Sequence, residues 1–255
     1  PNKLSKEQII NQAFKFHSQG NISAATKYYQ SCINQGFKDH QVFSNYGVIL
    51  QGIGKLKDAE LSYRQAIELK PDFAMAHSNL GNILRDIGKL KDAELSSSKA
   101  IELNPDLAEA HHNLGVLLQD LGKFYDSINC SKKAIELDKE LSLAKSSLIQ
   151  SKGEVCDWSD QRTQGIWLDK LGIEGSAINP MVSFYLEDNP LKNLQRAKKF
   201  YKEKYFKKSN NIYHSNNNKI RIGYFSSDFR AHPTMYLIAS ILKLHDKSKF
   251  EIYLY

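Results

Sequence analysis

The sequence predicts a mainly α protein in which stacked helix pairs are followed by the opening of an α/β lobe. Two observations lead to this prediction. Gly, Asn and Ala recur with a period of 34 residues through the first half of the chain. After residue 218 the pattern changes to two short β-type runs on either side of one helical stretch. A fixed period indicates a solenoid of repeated units, whereas strand, helix and strand indicate the start of a parallel sheet.

The period is visible in several residue types. The clearest series are Gly20, Gly54, Gly88 and Gly122, then Asn11, Asn45, Asn79 and Asn113, and finally Ala66, Ala100 and Ala134. A 34-residue repeat is the signature of tetratricopeptide helix pairs, which build a rod with a long concave face. We therefore predict a tetratricopeptide α-solenoid over residues 1–150. Its units lie near 6–39, 40–73, 74–107 and 108–141, with a partial unit from 142.

The third unit shows how one repeat is built. Its first helix is predicted over about 75–87, where Ala76, Leu80 and Ile83 share one apolar face. Gly88 is expected to end this helix, because a left-handed closing residue is least costly for glycine. Gly81 lies inside the helix, where glycine costs about 1 kcal/mol relative to Ala. We therefore expect the second helix, at about 90–103, to pack closely against Gly81.

The Asn series is the first candidate for function. Asn11, Asn45, Asn79 and Asn113 lie away from the apolar stripe of each first helix, so stacking aligns them along one side. An amide has both a donor and an acceptor, so this line can hold an extended polypeptide backbone whatever its side chains. The same amides can instead bond neighbouring repeats and hold the stack together. The sequence leaves both interpretations open.

Residues 151–218 are interpreted as a helical linker. A helix is predicted from Pro190 to about residue 207, and its inward side chains are expected to be Leu191, Leu194, Ala197, either Phe200 or Tyr201, and Tyr205. The Lys and Arg run over 192–208 is interpreted as the solvated face of that helix. Binding to nucleic acid is the less favoured interpretation of the same run.

Composition and cysteine usage exclude several classes. No stretch of 18 apolar residues exists, so we expect no membrane span, and no apolar signal core opens the chain. The chain does not begin with Met, so we expect further sequence upstream. Cys32, Cys130 and Cys156 form no Cys-x-x-Cys pair, so neither a metal site nor a disulfide framework is expected. These features predict a cytoplasmic protein.

Residues 219–255 are predicted to be the incomplete N-terminal lobe of an α/β domain. In such sheets, ligands bind beyond the carboxyl ends of the strands, beside helix N-termini. The loop after the first strand holds the candidate active-site residues Ser227, Asp228, His232, Pro233 and Thr234. The imidazole of His232 titrates near neutrality, which suits proton transfer or phosphate contact as well as simple hydrogen bonding. Because two strands cannot cover both faces of a sheet, we expect the lobe to be cut short here.

A longer motif in this region resembles a known family. Residues 221–233 read Arg-Ile-Gly-Tyr-Phe-Ser-Ser-Asp-Phe-Arg-Ala-His-Pro, and the repeats are followed at 155–158 by Val-Cys-Asp-Trp. This combination resembles the protein O-linked N-acetylglucosamine transferases, including their bacterial relatives and the Spindly branch. The resemblance implies an inverting, metal-independent transferase of two Rossmann-like lobes, the GT-B fold. His232 matches the family's active-site histidine, proposed there as general base or as a positioning group, and Pro233 and Thr234 match its neighbours. Tyr236 stands where animal members have a second histidine.

The resemblance also implies a function. The repeats would bind acceptor polypeptides through the Asn series, and the lobe would contribute to transfer of N-acetylglucosamine from UDP-N-acetylglucosamine to Ser or Thr. The family's nucleotide-sugar site lies mostly in the second lobe, so we expect no transfer by these 255 residues alone. The Spindly branch uses fucose, which leaves the sugar open. The alternative is a tetratricopeptide adaptor without catalytic activity.

Overall fold

The computed structural model describes residues 5–157, 159, 168–179, 182, 189–204, 220–224, 246, 248 and 250–254. The chain divides into two compact units, Pro1–Phe206 and Lys207–Tyr255. The first unit contains the helices of the described residues, and the second contains the strands.

Nine helices follow one another over residues 5–157, and they form the repeats. They are α1 (Lys6–Ser18), α2 (Ile22–Asn34), α3 (His40–Gly52), α4 (Leu56–Leu69), α5 (Ala74–Asp86), α6 (Leu90–Leu103), α7 (Ala108–Asp120), α8 (Phe124–Leu137) and α9 (Ser142–Glu154). Each helix packs against the next, and α3, α5, α7 and α9 also contact one another in sequence order. We call the odd-numbered helices of this set first helices and the even-numbered ones second helices. The solenoid predicted from the period is confirmed.

The turn between the two helices of the third repeat is closed by glycine, as predicted. Gly88 has φ +82°, in the left-handed region that costs glycine least. Its N–H donates to the carbonyl of Arg85 at 2.9 Å, and the N–H of Lys89 donates to the carbonyl of Leu84 at 2.8 Å. These bonds satisfy carbonyls that the last turn of α5 would otherwise leave without donors.

Close packing at Gly81 is the second confirmed detail. A Cβ added at Gly81 would lie 2.2 Å from Ser97 Oγ on α6 and 3.2 Å from the carbonyl oxygen of Ala93. Ser97 is buried. The bare backbone of Gly81 is therefore what allows α5 and α6 to approach this closely. Cys32, which takes the place of Ala66, Ala100 and Ala134 in the repeat pattern, is also buried.

The prediction of which face is buried was wrong for the helix that follows the repeats. This helix, α10 (Pro190–Lys204), leaves Leu191 and Leu194 exposed at 75% and 50%, and Tyr201 is also exposed. The inward side chain is instead Arg196, which is fully buried. Its guanidinium donates to the carbonyls of Leu171 and Leu168 at 2.9 and 2.7 Å. Backbone carbonyls in the turn over 168–171 need donors, and a pattern of apolar spacing does not register that need.

The second unit contains two parallel strands, β1 (Ile220–Tyr224) and β2 (Phe250–Leu254). Ile220 pairs with Phe250 and Tyr224 with Leu254. Parallel pairing of two strands this far apart in the sequence is what the strand, helix and strand pattern predicted. Among the residues described, no helix is both long enough and apolar enough to cross a membrane.

Candidate functional site

The four Asn residues of the periodic series occupy equivalent places on α1, α3, α5 and α7. Asn11 is exposed, whereas Asn45, Asn79 and Asn113 are half-buried. Because the successive first helices from α3 to α7 contact one another, the last three amides follow each other along the same side of the repeats. The arrangement has the linear form that a backbone-binding series needs.

One of these amides bonds a neighbouring repeat. Asn113 Nδ2 donates to Ser78 Oγ on α5 at 3.0 Å, and Ser78 is fully buried. This contact joins the third and fourth repeats, so Asn113 helps to hold the stack. Among the described residues, the Asn79 side chain has no hydrogen-bond partner within the protein. The two interpretations of the series therefore apply to different members, and the binding role of all four stays a prediction.

Asn45 lies in a pocket at the first two repeats. The pocket has a volume of about 350 Å³ and is lined by Phe14, His17, Ser18, Tyr29 and Asn45. We call it the Tyr29 pocket. The Tyr29 hydroxyl and His17 Nδ1 are hydrogen-bonded at 3.1 Å, and the two rings meet edge to face. The Phe14 ring is tilted against Tyr29 with centroids 6.1 Å apart.

The electrostatics of the Tyr29 pocket are those of neutral groups. Burial raises the pKa of Tyr29 to about 12, and the adjacent Asn45 side chain acts in the opposite direction. Burial also lowers the pKa of His17 below its usual value near 6.5, so the imidazole is uncharged at pH 7. The pocket therefore presents aromatic surface and neutral hydrogen-bonding groups.

A second periodic pair, Asp86 and Asp120, lies in the third and fourth repeats. The Arg85 guanidinium bonds Asp86 Oδ1 at 2.7 Å, and its Nε lies 3.6 Å from Asp120 Oδ2. The 34-residue period does not predict this shared guanidinium. The Arg has no counterpart in the other first helices, where His17, Gln51 and Gln119 take its place.

The same region holds a half-buried histidine. Burial, and secondarily the charge of Arg85, lowers the pKa of His112 to about 4. Its Nδ1 is buried and has no hydrogen-bond partner among the described residues. The equivalent positions on the neighbouring first helices hold Ser44, Ser78 and Ser146. His112 is therefore a neutral, space-filling side chain at pH 7.

The Asn series ends at the fifth repeat. Ser147 takes the Asn position there and is buried. Gln119 Nε2 donates to the carbonyl of Ser147 at 2.8 Å and to Ser151 Oγ at 2.6 Å. The fifth repeat offers no equivalent amide, because serine replaces asparagine there. The Ser147 backbone carbonyl and the Ser151 hydroxyl are bonded instead to Gln119 of the fourth repeat.

The predicted active-site residues lie outside the described residues. This applies to His232, Ser227, Asp228, Pro233 and Thr234, which follow the end of β1 in the sequence. Within the described part of the chain, no group of three or more His, Cys, Asp and Glu side chains could hold a metal ion. The three thiols, Cys32, Cys130 and Cys156, are free.

Family comparisons agree with this organisation. Glycosyl transferase family 41 matches residues 192–255. The TPR repeat family matches residues 53–88 and 81–122, and the tetratricopeptide repeat family matches residues 108–141. The chain thus carries tetratricopeptide repeats followed by a segment that matches a family 41 glycosyltransferase, as the sequence resemblance predicted.

Individual relatives point the same way. A 40-residue stretch is 50% identical to the UDP-N-acetylglucosamine–peptide N-acetylglucosaminyltransferase of Caenorhabditis elegans; it makes up 16% of this chain and spans only 4% of that protein. Among solved structures, a MamA protein superposes with a TM-score of 0.51 and 18% identity, covering 78% of this chain and 94% of its own. A mutant O-GlcNAc transferase of Thermobaculum terrenum superposes with a TM-score of 0.51 and 22% identity, covering 85% of this chain and 36% of its own. The structural matches show a shared fold.

Proposed function

We propose that this chain is the N-terminal portion of a protein O-linked N-acetylglucosamine transferase, in which the repeats bind the acceptor polypeptide. The observation that supports this most is the order of parts along one chain. A tetratricopeptide solenoid over residues 6–154 is followed by a family 41 segment over 192–255. A long repeated face suits an extended partner, so a solenoid joined to a sugar-transferring domain supports a polypeptide as the acceptor.

The repeats supply backbone recognition in this proposal. Asn79 offers an amide with no partner among the described residues, and Asn45, whose side chain is hydrogen-bonded to Tyr29, lines the Tyr29 pocket. Each amide matches the donor and acceptor of one peptide unit. Asn11 and Asn113 extend the line, although Asn113 shares its amide with Ser78. Recognition of the main chain allows many acceptor sequences to bind.

The α/β lobe supplies part of the chemistry. In sugar transfer the Ser or Thr oxygen forms a bond to the anomeric carbon, the bond to the diphosphate breaks, and the hydroxyl proton leaves. We assign His232 to this step, either as the base or as the group that positions the reactants. Ser227, Asp228, Pro233 and Thr234 would form the surrounding loop. The sugar donor would be UDP-N-acetylglucosamine, and the free thiols fit a cytoplasmic location.

Two measurements test the enzymatic part. Sequencing the gene beyond Tyr255 separates the proposal from its alternative, because a second Rossmann-like lobe in the same reading frame supports the enzyme. A stop codon directly after Tyr255 would contradict it. The longer gene product should then release UDP in the presence of a Ser/Thr peptide, and His232→Ala should abolish this release while peptide binding persists.

The alternative function is that of an adaptor that binds polypeptides without transferring sugar. One observation favours it. The solved MamA chain is covered over 94% of its length by this chain, so this fold also occurs in a solved chain of which it forms nearly all. The adaptor predicts peptide binding with no UDP release by any longer gene product.

A further inference from the structure

The Tyr29 pocket differs from the corresponding places in the later repeats. The position of Phe14 becomes Val48, Asn82 and Val116 along the first helices, and that of His17 becomes Gln51, Arg85 and Gln119. The position of Tyr29 becomes Tyr63, Ser97 and Ser131 along the second helices. Two aromatic rings, an imidazole and an amide therefore come together only at the first pair of repeats. Backbone recognition, which repeats along the series, does not require this change.

The hydrogen-bonding groups of the pocket define what can enter it. His17 uses Nδ1 for Tyr29, which leaves Nε2 without a partner among the described residues. Nε2 is a donor in one neutral tautomer and an acceptor in the other. The Asn45 side chain also hydrogen-bonds Tyr29, which leaves its amide with one further N–H donor and its carbonyl oxygen as an acceptor. In either tautomer of His17, the two side chains can still present one donor and one acceptor to an occupant.

The charge and the hydrogen-bonding groups of the pocket lining limit which side chains can bind there. Among the described residues, no charged side chain lines the pocket, so a carboxylate or ammonium would lose hydration without gaining an ionic partner there. A purely apolar side chain would cover His17 Nε2 and the Asn45 amide without bonding them, which is also unfavourable. A neutral side chain with a donor, an acceptor and an apolar stem fits best. Glutamine has these three properties, since its methylenes can lie on Phe14 while its carboxamide meets the polar groups.

We propose that the Tyr29 pocket binds the carboxamide side chain of a glutamine in the bound polypeptide. This inference rests on the proposed function, because it assumes that a polypeptide lies along the first helices. The glutamine site adds a side-chain preference at the N-terminal end of a surface that otherwise recognises the polypeptide main chain.

The test compares three nearly isosteric side chains. A labelled host peptide of Ala, Ser and Thr carries Gln, Glu or Met at every fourth position, so that one copy can reach the pocket in any alignment. Fluorescence anisotropy at pH 7.5 gives the dissociation constant for the 255-residue chain. We expect the Gln peptide to bind about tenfold more tightly than the other two, because only its carboxamide matches the half-buried hydrogen-bonding groups of His17 and Asn45.

Variants of the pocket identify the source of the preference. His17→Ala and Tyr29→Phe should bring the Gln peptide to the affinity of the Met peptide. Tyr63→Phe is the matched control, because Tyr63 holds the equivalent place in the next repeat and its hydroxyl has no partner among the described residues. That variant should keep the preference. Equal affinities for the three peptides, or a preference that survives both pocket variants, would overturn the inference alone, whereas failure of every peptide to bind would overturn the proposed function as well.

Discussion

The Asn113 amide donates to the buried Ser78 hydroxyl of the preceding repeat at 3.0 Å. This bond distinguishes two roles, holding the stack of repeats and binding a polypeptide, which the sequence pattern alone does not tell apart. Asn113 contributes to the stack itself, whereas the Asn79 side chain, equivalent by the 34-residue period, has no partner among the described residues. Residues that look identical in the repeat pattern are therefore expected to respond differently to the same substitution.

Asn113→Ala should lower the free energy of unfolding by about 1–2 kcal/mol, because it leaves a buried hydroxyl without a partner. Asn79→Ala should change that free energy by less than about 0.5 kcal/mol. Urea unfolding followed by circular dichroism measures both. Adding Ser78→Ala to Asn113→Ala should restore part of the loss. Equal destabilisation by the two single variants would show that the Ser78 contact contributes nothing.

Gly81 provides a second prediction about stability. Gly81→Ala should destabilise the protein by about 1–3 kcal/mol, because its Cβ would lie 2.2 Å from Ser97 Oγ. Gly115 is the matched control, since the atom nearest to its added Cβ lies 3.3 Å away. Gly115→Ala should cost less than Gly81→Ala, because the preference of alanine for helix, about 1 kcal/mol, offsets its milder contact with Cys130. Thermal unfolding measures the difference, and the account fails here if Gly81→Ala is the more stable of the two.

The fold could be predicted in detail where the period applies. The bounds of α6, the turn at Gly88 and the packing at Gly81 all follow from residues that recur every 34 positions. The prediction of the buried helix face was wrong where the buried side chain is polar. Arg196 is buried because it satisfies two backbone carbonyls, so the apolar spacing of Leu191 and Leu194 indicated the wrong face.

The candidate site was predicted only in part. The periodic Asn residues were recognised because they repeat, but the Tyr29 pocket was missed because Phe14 and His17 do not. The absence of Phe14 and His17 from the equivalent positions of later repeats was itself a signal that the sequence offered. The bond from Asn113 to Ser78 depends on contacts between repeats, which a single period does not reveal.

His112 predicts a pH dependence of stability. Its pKa is about 4 in the folded protein, lowered first by burial and then by Arg85, against a usual value near 6.5 when unfolded. Because the unfolded chain binds this proton more readily, the contribution of His112 is full above pH 6.5 and is lost as the pH falls towards 4. The loss should be on the order of 2–3 kcal/mol.

The measurement is urea unfolding at pH 7 and at pH 4.5, with His112→Ser as the comparison. Serine is the residue found at the equivalent positions of neighbouring repeats, so this variant should fold with a weaker pH dependence. An unchanged difference between the two pH values would remove His112 as its cause.

Arg196 is expected to hold α10 against the turn over 168–171. Arg196→Met should leave the carbonyls of Leu168 and Leu171 without these donors and cost about 3 kcal/mol or more locally. Hydrogen exchange should accelerate in α10 and the turn, while α1–α8 keep their protection. Arg196→Lys retains the charge but cannot repeat the paired geometry, so it should show an intermediate effect. Unchanged exchange in Arg196→Met would contradict the assignment.

The central claim is that the first helices hold an extended polypeptide through their amides. Its most direct test is the dissociation constant of a labelled Ser/Thr-rich peptide for the wild-type chain and for Asn79→Ala. The account predicts binding by the wild type, about tenfold weaker binding by the variant, and the same melting temperature for both. Equal affinity of the two proteins for the peptide would contradict it.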